Sequence, residues 1–121
     1  MTTIDNSKIF LKGGFTDVTV SVPAKTTLLE GTVLGFDADG ALIPFNTTDC
    51  TNAQYVLAQD LANTTNSVVE RGNVRAFEWG EVNGEKLIFT ASGESLTAEI
   101  KANMKANGII VCQVNEETNT L

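Results

Sequence analysis

Residues 16–22 alternate without a break: Val18, Val20 and Val22 fall on one side, Asp17, Thr19 and Ser21 on the other. A period of two is that of a half-buried β-strand, and Pro23, which has no N–H to give a ladder, ends it. Two apolar arms follow, residues 31–36 and 41–45, joined through Asp37-Ala38-Asp39-Gly40. An Asp-Gly pair between apolar runs predicts a β-hairpin, and Pro44 places the second arm at a sheet edge. Residues 54–59 and 67–69 read as short strands. Residues 72–79 read as a longer one, with Val74 and Ala76 on one face and Phe77 and Trp79 on the other. Asn83-Gly84 predicts a second hairpin, joining residues 77–82 to 85–90.

The period changes once. Leu96, Ile100 and Met104 recur at every fourth position, which predicts a helix over 96–107 with a single apolar stripe. Ser95 or Thr97 caps its start, Glu99 and Lys105 suit its dipole, and Gly108 closes it. A last strand, 109–114, and a polar tail, 115–121, complete the chain. The expected fold class is therefore α+β, mainly β, with one short C-terminal helix. Ahead of it, a polar start is followed by Ile9-Phe10-Leu11 and then Gly13-Gly14, a joint that is costly to order. This predicts a flexible N-terminal arm over residues 1–15 and a single β-rich domain over 16–121.

The chain of 121 residues, 42% of them hydrophobic, carries enough apolar material for one core without metal or disulfide. Only 7% are aromatic, so that core is built mainly from Val, Leu, Ile and Ala. The formal net charge of -7 disfavours nucleic acid and anionic membranes as partners; it first of all suits solubility at high concentration, and its sharper alternative is a partner surface that is neutral or basic. Cys50 and Cys112 lack a CxxC spacing. Cys112 lies in an apolar run and reads as a buried thiol; Cys50 lies in a polar turn, and the sequence leaves its exposure open. The polar start lacks the apolar core of a signal peptide, and no run is long enough to span a membrane, so synthesis in a reducing cytoplasm is expected.

Candidate chemistry is thin. The chain has no histidine, which removes the usual general base, metal ligand and nucleophile partner. Asp37-Ala38-Asp39-Gly40 starts like a calcium loop, but Ala-Leu-Ile-Pro-Phe follows where further oxygen ligands are needed, so a turn is favoured. Carboxylate pairs such as Glu78 and Glu81 need a deep cleft to work as acid and base. No cofactor, metal or catalytic residue is expected. Trp79 and Tyr55, with the Asn/Thr-rich loops 46–52 and 63–66, offer an alternative function as a glycan- or host-surface-binding module.

Four segments in order resemble the bacteriophage head decoration, or capsid cement, proteins of the lambda head decoration protein D family. They are Gly31-Thr32-Val33-Leu34-Gly35 with Asp39-Gly40, Leu42 and Pro44-Phe45; Val56-Leu57-Ala58-Gln59-Asp60; Val69-Glu70-Arg71-Gly72-Asn73-Val74; and Met104 through Gly108-Ile109-Ile110-Val111, where Met104 stands at a common leucine. The likeness spans residues 24–114. It departs in the longer strand 16–22 and in Glu30, where a proline is frequent. The resemblance implies a β-tulip-like domain that forms a homotrimer at threefold and quasi-threefold sites on the exterior of the expanded capsid. There it would clamp the major capsid protein against internal DNA pressure, as a structural virion protein and not an enzyme. It also implies an arm that orders on the capsid by adding a strand. Ile9, Phe10, Leu11 and Phe15, with Val18 and Val20 behind them, are the expected capsid-binding residues.

Overall fold

Three neighbours line up along β7 (Val69–Asn83), the longest strand. The computed structural model describes residues 8–90 and 94–112; the predicted tail, and the part of the predicted arm ahead of Lys8, lie outside these. On one edge β7 pairs antiparallel with β1 (Phe10–Val22) over its whole length, from Phe10↔Val82 to Val22↔Val69. It also pairs antiparallel with β5 (Tyr55–Leu57) and, at Gly80–Asn83, parallel with β8 (Ile109–Cys112). β3 (Val33–Phe36) joins β5, and β4 (Leu42–Pro44) closes the order β1-β7-β5-β3-β4. A separate ribbon pairs β2 (Thr26–Leu28) with β6 (Leu61–Asn63).

Adjacent residues of the central strands feed two different cores. Val33, Val56 and Phe77 belong to a cluster with Ile100 and Met104 of α1 (Ala98–Ala106). Their neighbours Leu34 and Leu57, with Val74, join Val20, Val22, Leu28 and Leu61 in a second cluster under the β2–β6 ribbon. A sheet covered on both faces has no solvated side, so its strands read as unbroken apolar runs. This is why Val33-Leu34 and Val56-Leu57 are apolar at both positions.

The predicted hairpin is present, with Leu34↔Pro44 and Phe36↔Leu42 in register and β4 at the edge as Pro44 requires. Its turn is held by Asp37, whose Oδ1 accepts from the Asp39 and Ala41 N–H groups at 2.9 Å. The helix is capped by Thr97, whose Oγ1 accepts from the Ile100 N–H at 3.2 Å.

Four expectations change. The first strand starts at Phe10, not at residue 16, because β7 supplies ladder partners as far as Val82. Asn83-Gly84 does not turn a hairpin. Asn83 is buried, its Oδ1 accepts from the Glu85 N–H at 3.1 Å, and a 3-10 turn over Gly84–Lys86 leads the chain to a parallel bridge between Thr32 and Ile88. Phe77 and Trp79 do not share a face, since β7 bulges between them: Phe77 pairs with Phe15 and Trp79 with Gly14. Cys112, read as buried, is only partly covered, and it is Cys50 that is buried, beside Phe45 and Ala53.

Candidate functional site

The expected capsid-binding residues follow one another along β1, and the ladder separates them. Ile9, just ahead of the strand, is partly buried, and its carbonyl accepts from the Asn83 N–H at 2.8 Å. The Asn83 side-chain amide also donates to the Lys8 carbonyl at 3.3 Å, so a buried asparagine marks where the chain enters the sheet. Phe10 stacks on Phe77 with ring centroids 5.0 Å apart. Phe15 meets Phe10 and Phe77 edge-on at 5.2 and 5.4 Å, and the Arg75 guanidinium lies 4.1 Å over its ring. Such edge-to-face pairs add to simple area burial, and Arg75 gains a cation–π contact while staying in water. Leu11, partly buried, falls at a register shift in β1.

Val18 and Val20 point elsewhere. Val18 packs at the margin of the second cluster and Val20 is fully buried within it. Val20 therefore belongs to the core, because the ribbon carrying Leu28 and Leu61 covers its face of the sheet. Phe10 and Phe15 come together around Phe77; Val18 and Val20 do not join them.

Gly13 and Gly14, read as a joint, lie within the β1–β7 ladder. Gly13 pairs with Gly80, both at positive φ (143° and 126°). A Cβ on Gly13 would lie 1.9 Å from the Trp79 carbonyl oxygen, and one on Gly80 2.0 Å from that of Lys12. The two glycines let the strands approach more closely than side chains allow. A Cβ on Gly14 would lie 2.4 Å from Trp79 Nε1, so the indole fills the space that Gly14 leaves.

Sequence reasoning did not single out Ile110, and it read Trp79 as a ligand-stacking candidate. Two residues beyond Trp79, Glu81 points the same way, and Ile110 lies beside Glu81 in register. Trp79 is 55% exposed and Ile110 46%, whereas Ile109 and Val82 turn into the first cluster. The alternation Ile109 in, Ile110 out was the available signal, hidden in a run that is apolar at both positions.

A cleft beside the start of α1 is lined by Phe45, Cys50, Glu94, Thr97 and Asn103. Its polar groups are committed to the fold. Glu94 accepts from the Thr47 hydroxyl at 2.6 Å, and Asn103 Oδ1 accepts from the Ala53 N–H at 2.6 Å. Burial, and secondarily the carboxylates of Asp49, Asp37 and Glu94, push the Cys50 thiol pKa up against a backbone hydrogen bond at Asn46. A thiol held neutral is a poor nucleophile. Among the described residues no helix is long and apolar enough to cross a membrane.

Residues 5–109 match the family described as Bacteriophage lambda head decoration protein D. None of the curated proteins matches the chain.

Proposed function

The chain belongs to the Bacteriophage lambda head decoration protein D family, a family of structural proteins of the virion capsid, and from that premise we propose that it works as a capsid-clamping trimer. In this reading trimers bind the major capsid protein at threefold and quasi-threefold sites of the expanded shell and stabilise it against internal DNA pressure. The observation that carries it is the family match, which spans β1 through the start of β8.

The mechanism follows from linkage. A ligand that binds only one state of an assembly stabilises that state by mass action, and many identical sites add their contributions. The segment ahead of β1 is the proposed arm, entering the fold at Ile9 on an edge strand of the sheet. An extended segment gains affinity through main-chain hydrogen bonds to a partner strand, with Ile9 and Leu11 as its apolar neighbours. No step of this function calls for catalysis.

The test is co-sedimentation with expanded and unexpanded heads, with native mass by light scattering. Binding to expanded heads by a trimeric species is expected, and removal of residues 1–7 should weaken it while leaving the melting temperature in place. A monomer that ignores expanded heads would overturn the reading. The glycan-binding alternative rests on the exposure of Trp79 alone. Tyr55 packs edge-on against Phe36, and Asn63 turns inward to donate to the Val22, Pro23 and Ser67 carbonyls.

A further inference from the structure

The β2–β6 ribbon covers one face of the sheet near Val20 and Val22, but the same face carries Trp79 and Ile110 in the open at the other end of β7. Nothing in the described fold packs over them, and they lie near the point where the chain enters the sheet. Tryptophan is among the residues most enriched where binding energy concentrates. Its indole here is already placed, lying in the space above Gly14, so docking would order few additional rotamers.

We infer that Trp79 and Ile110 form a second, body-borne contact with the outer surface of the capsid shell, inserting into an apolar socket whose rim is neutral or basic. This deepens the reading above and rests on it. Two observations choose the shell over a second copy of the chain. The first is size: two half-exposed side chains offer on the order of 200 Å², against roughly 800 Å² per partner for a stable association. Alone the patch is too small to hold a trimer together, and it suits a contact completed by something adjacent. The second is position. The chain enters the sheet at Ile9 and Phe10, and Phe10 pairs with Val82, three residues from Trp79, or roughly 10 Å along the strand. An arm that reaches the shell from there brings this patch with it, and two weak contacts on one body bind far more tightly than either alone. The rim follows from charge: Glu81 sits between Trp79 and Ile110 on a chain of net charge -7, which disfavours an acidic socket.

The experiment compares full-length protein, the double variant Trp79→Ala/Ile110→Ser and a control, Val68→Ser, in binding to expanded heads. Val68 is 64% exposed and precedes the β7 residue that pairs with Val22, at the far end of the same ladder. The double variant should bind at least about tenfold more weakly, with unchanged native mass and melting temperature, and the control should bind as the parent does. Parental binding by the double variant overturns the inference while leaving the capsid-clamping reading intact. A drop in native mass also overturns it, by assigning the patch to a contact between copies. A parent protein that fails to bind expanded heads overturns the underlying reading. Should the double variant melt early, the single variant Ile110→Ser decides between the same outcomes.

Discussion

The two ends of the β1–β7 ladder are built from similar residues and meet different surroundings. At the Val18–Val22 end the valines are covered by Leu28, Leu57 and Leu61, and the nearby Asn63 amide ties the end of β1 to the loop before β7. At the Phe10–Phe15 end, Phe10 and Phe15 lean on Phe77 from one side while Trp79 and Ile110 stand open on the other. One end is closed by the ribbon; at the other, nothing among the described residues covers Trp79 and Ile110. Exposed apolar side chains are ordinary on a protein surface, so it is their place beside the entry of the chain into the sheet that links Trp79 and Ile110 to the contact inferred above.

The sharpest way to break this contrast is to truncate the two phenylalanines that face each other in register. Phe77 is fully buried at the junction of β1, β5 and β7, and Phe77→Ala should cost about 3–5 kcal/mol. Phe15 is 36% exposed, and Phe15→Ala should cost about 1 kcal/mol through its ring contacts. Urea denaturation measures both. Equal losses would mean that the partly exposed Phe15 is as much core as the Phe77 it leans on.

A smaller effect separates close packing from turn geometry. Gly80→Ala meets both a positive φ and the Lys12 carbonyl oxygen at 2.0 Å, and should cost about 2–3 kcal/mol. Gly40, in the hairpin turn, has φ +83° but nothing within 4 Å of a Cβ, so Gly40→Ala should cost only about 1 kcal/mol. If Gly80→Ala is the milder of the two in thermal melting, then β1 and β7 separate easily at this end and the diglycine behaves as a joint after all.

Local signals were legible where the residues that make an element also hold it. The Asp37–Gly40 turn, the Thr97 cap and the Ile100/Met104 stripe each act within a few residues. What remained hidden depends on distant segments. Asn83-Gly84 has the composition of a hairpin turn, but the Asn83 side chain is claimed by Lys8, 75 positions away. The bulge that parts Phe77 from Trp79 is set by the register with β1 and leaves no mark in either strand alone. The place of Gly13 in a strand was hidden because its partner Gly80 lies far along the chain. Asn63, read as part of a polar loop, has a buried amide that serves three carbonyls, a role no local pattern announces.

The smallest expected effect concerns the two thiols, which the fold divides in the same way as the ladder. Cys50 is 7% exposed and its pKa is raised, chiefly by burial, above the ordinary thiol value. Cys112 is partly covered, with its Sγ 3.8 Å from Glu81 Oε1 on the open face. In native protein a thiol reagent should therefore modify Cys112 first and reach Cys50 only on unfolding. The sign of the pH dependence follows from linkage. Because the folded state holds the Cys50 proton more tightly, its contribution is fully present below the unfolded-state pKa of roughly 8.5 and is lost as pH rises toward the higher folded value. Stability should thus fall as pH rises past that unfolded-state value, and Cys50→Ser or Cys50→Ala should flatten that slope whereas Cys112→Ser should not. A slope unchanged by replacing Cys50 would mean that its thiol is as free to ionise in the folded protein as in the unfolded chain, and that the helix-side core is more open than the packing around Phe45 and Ala53 implies.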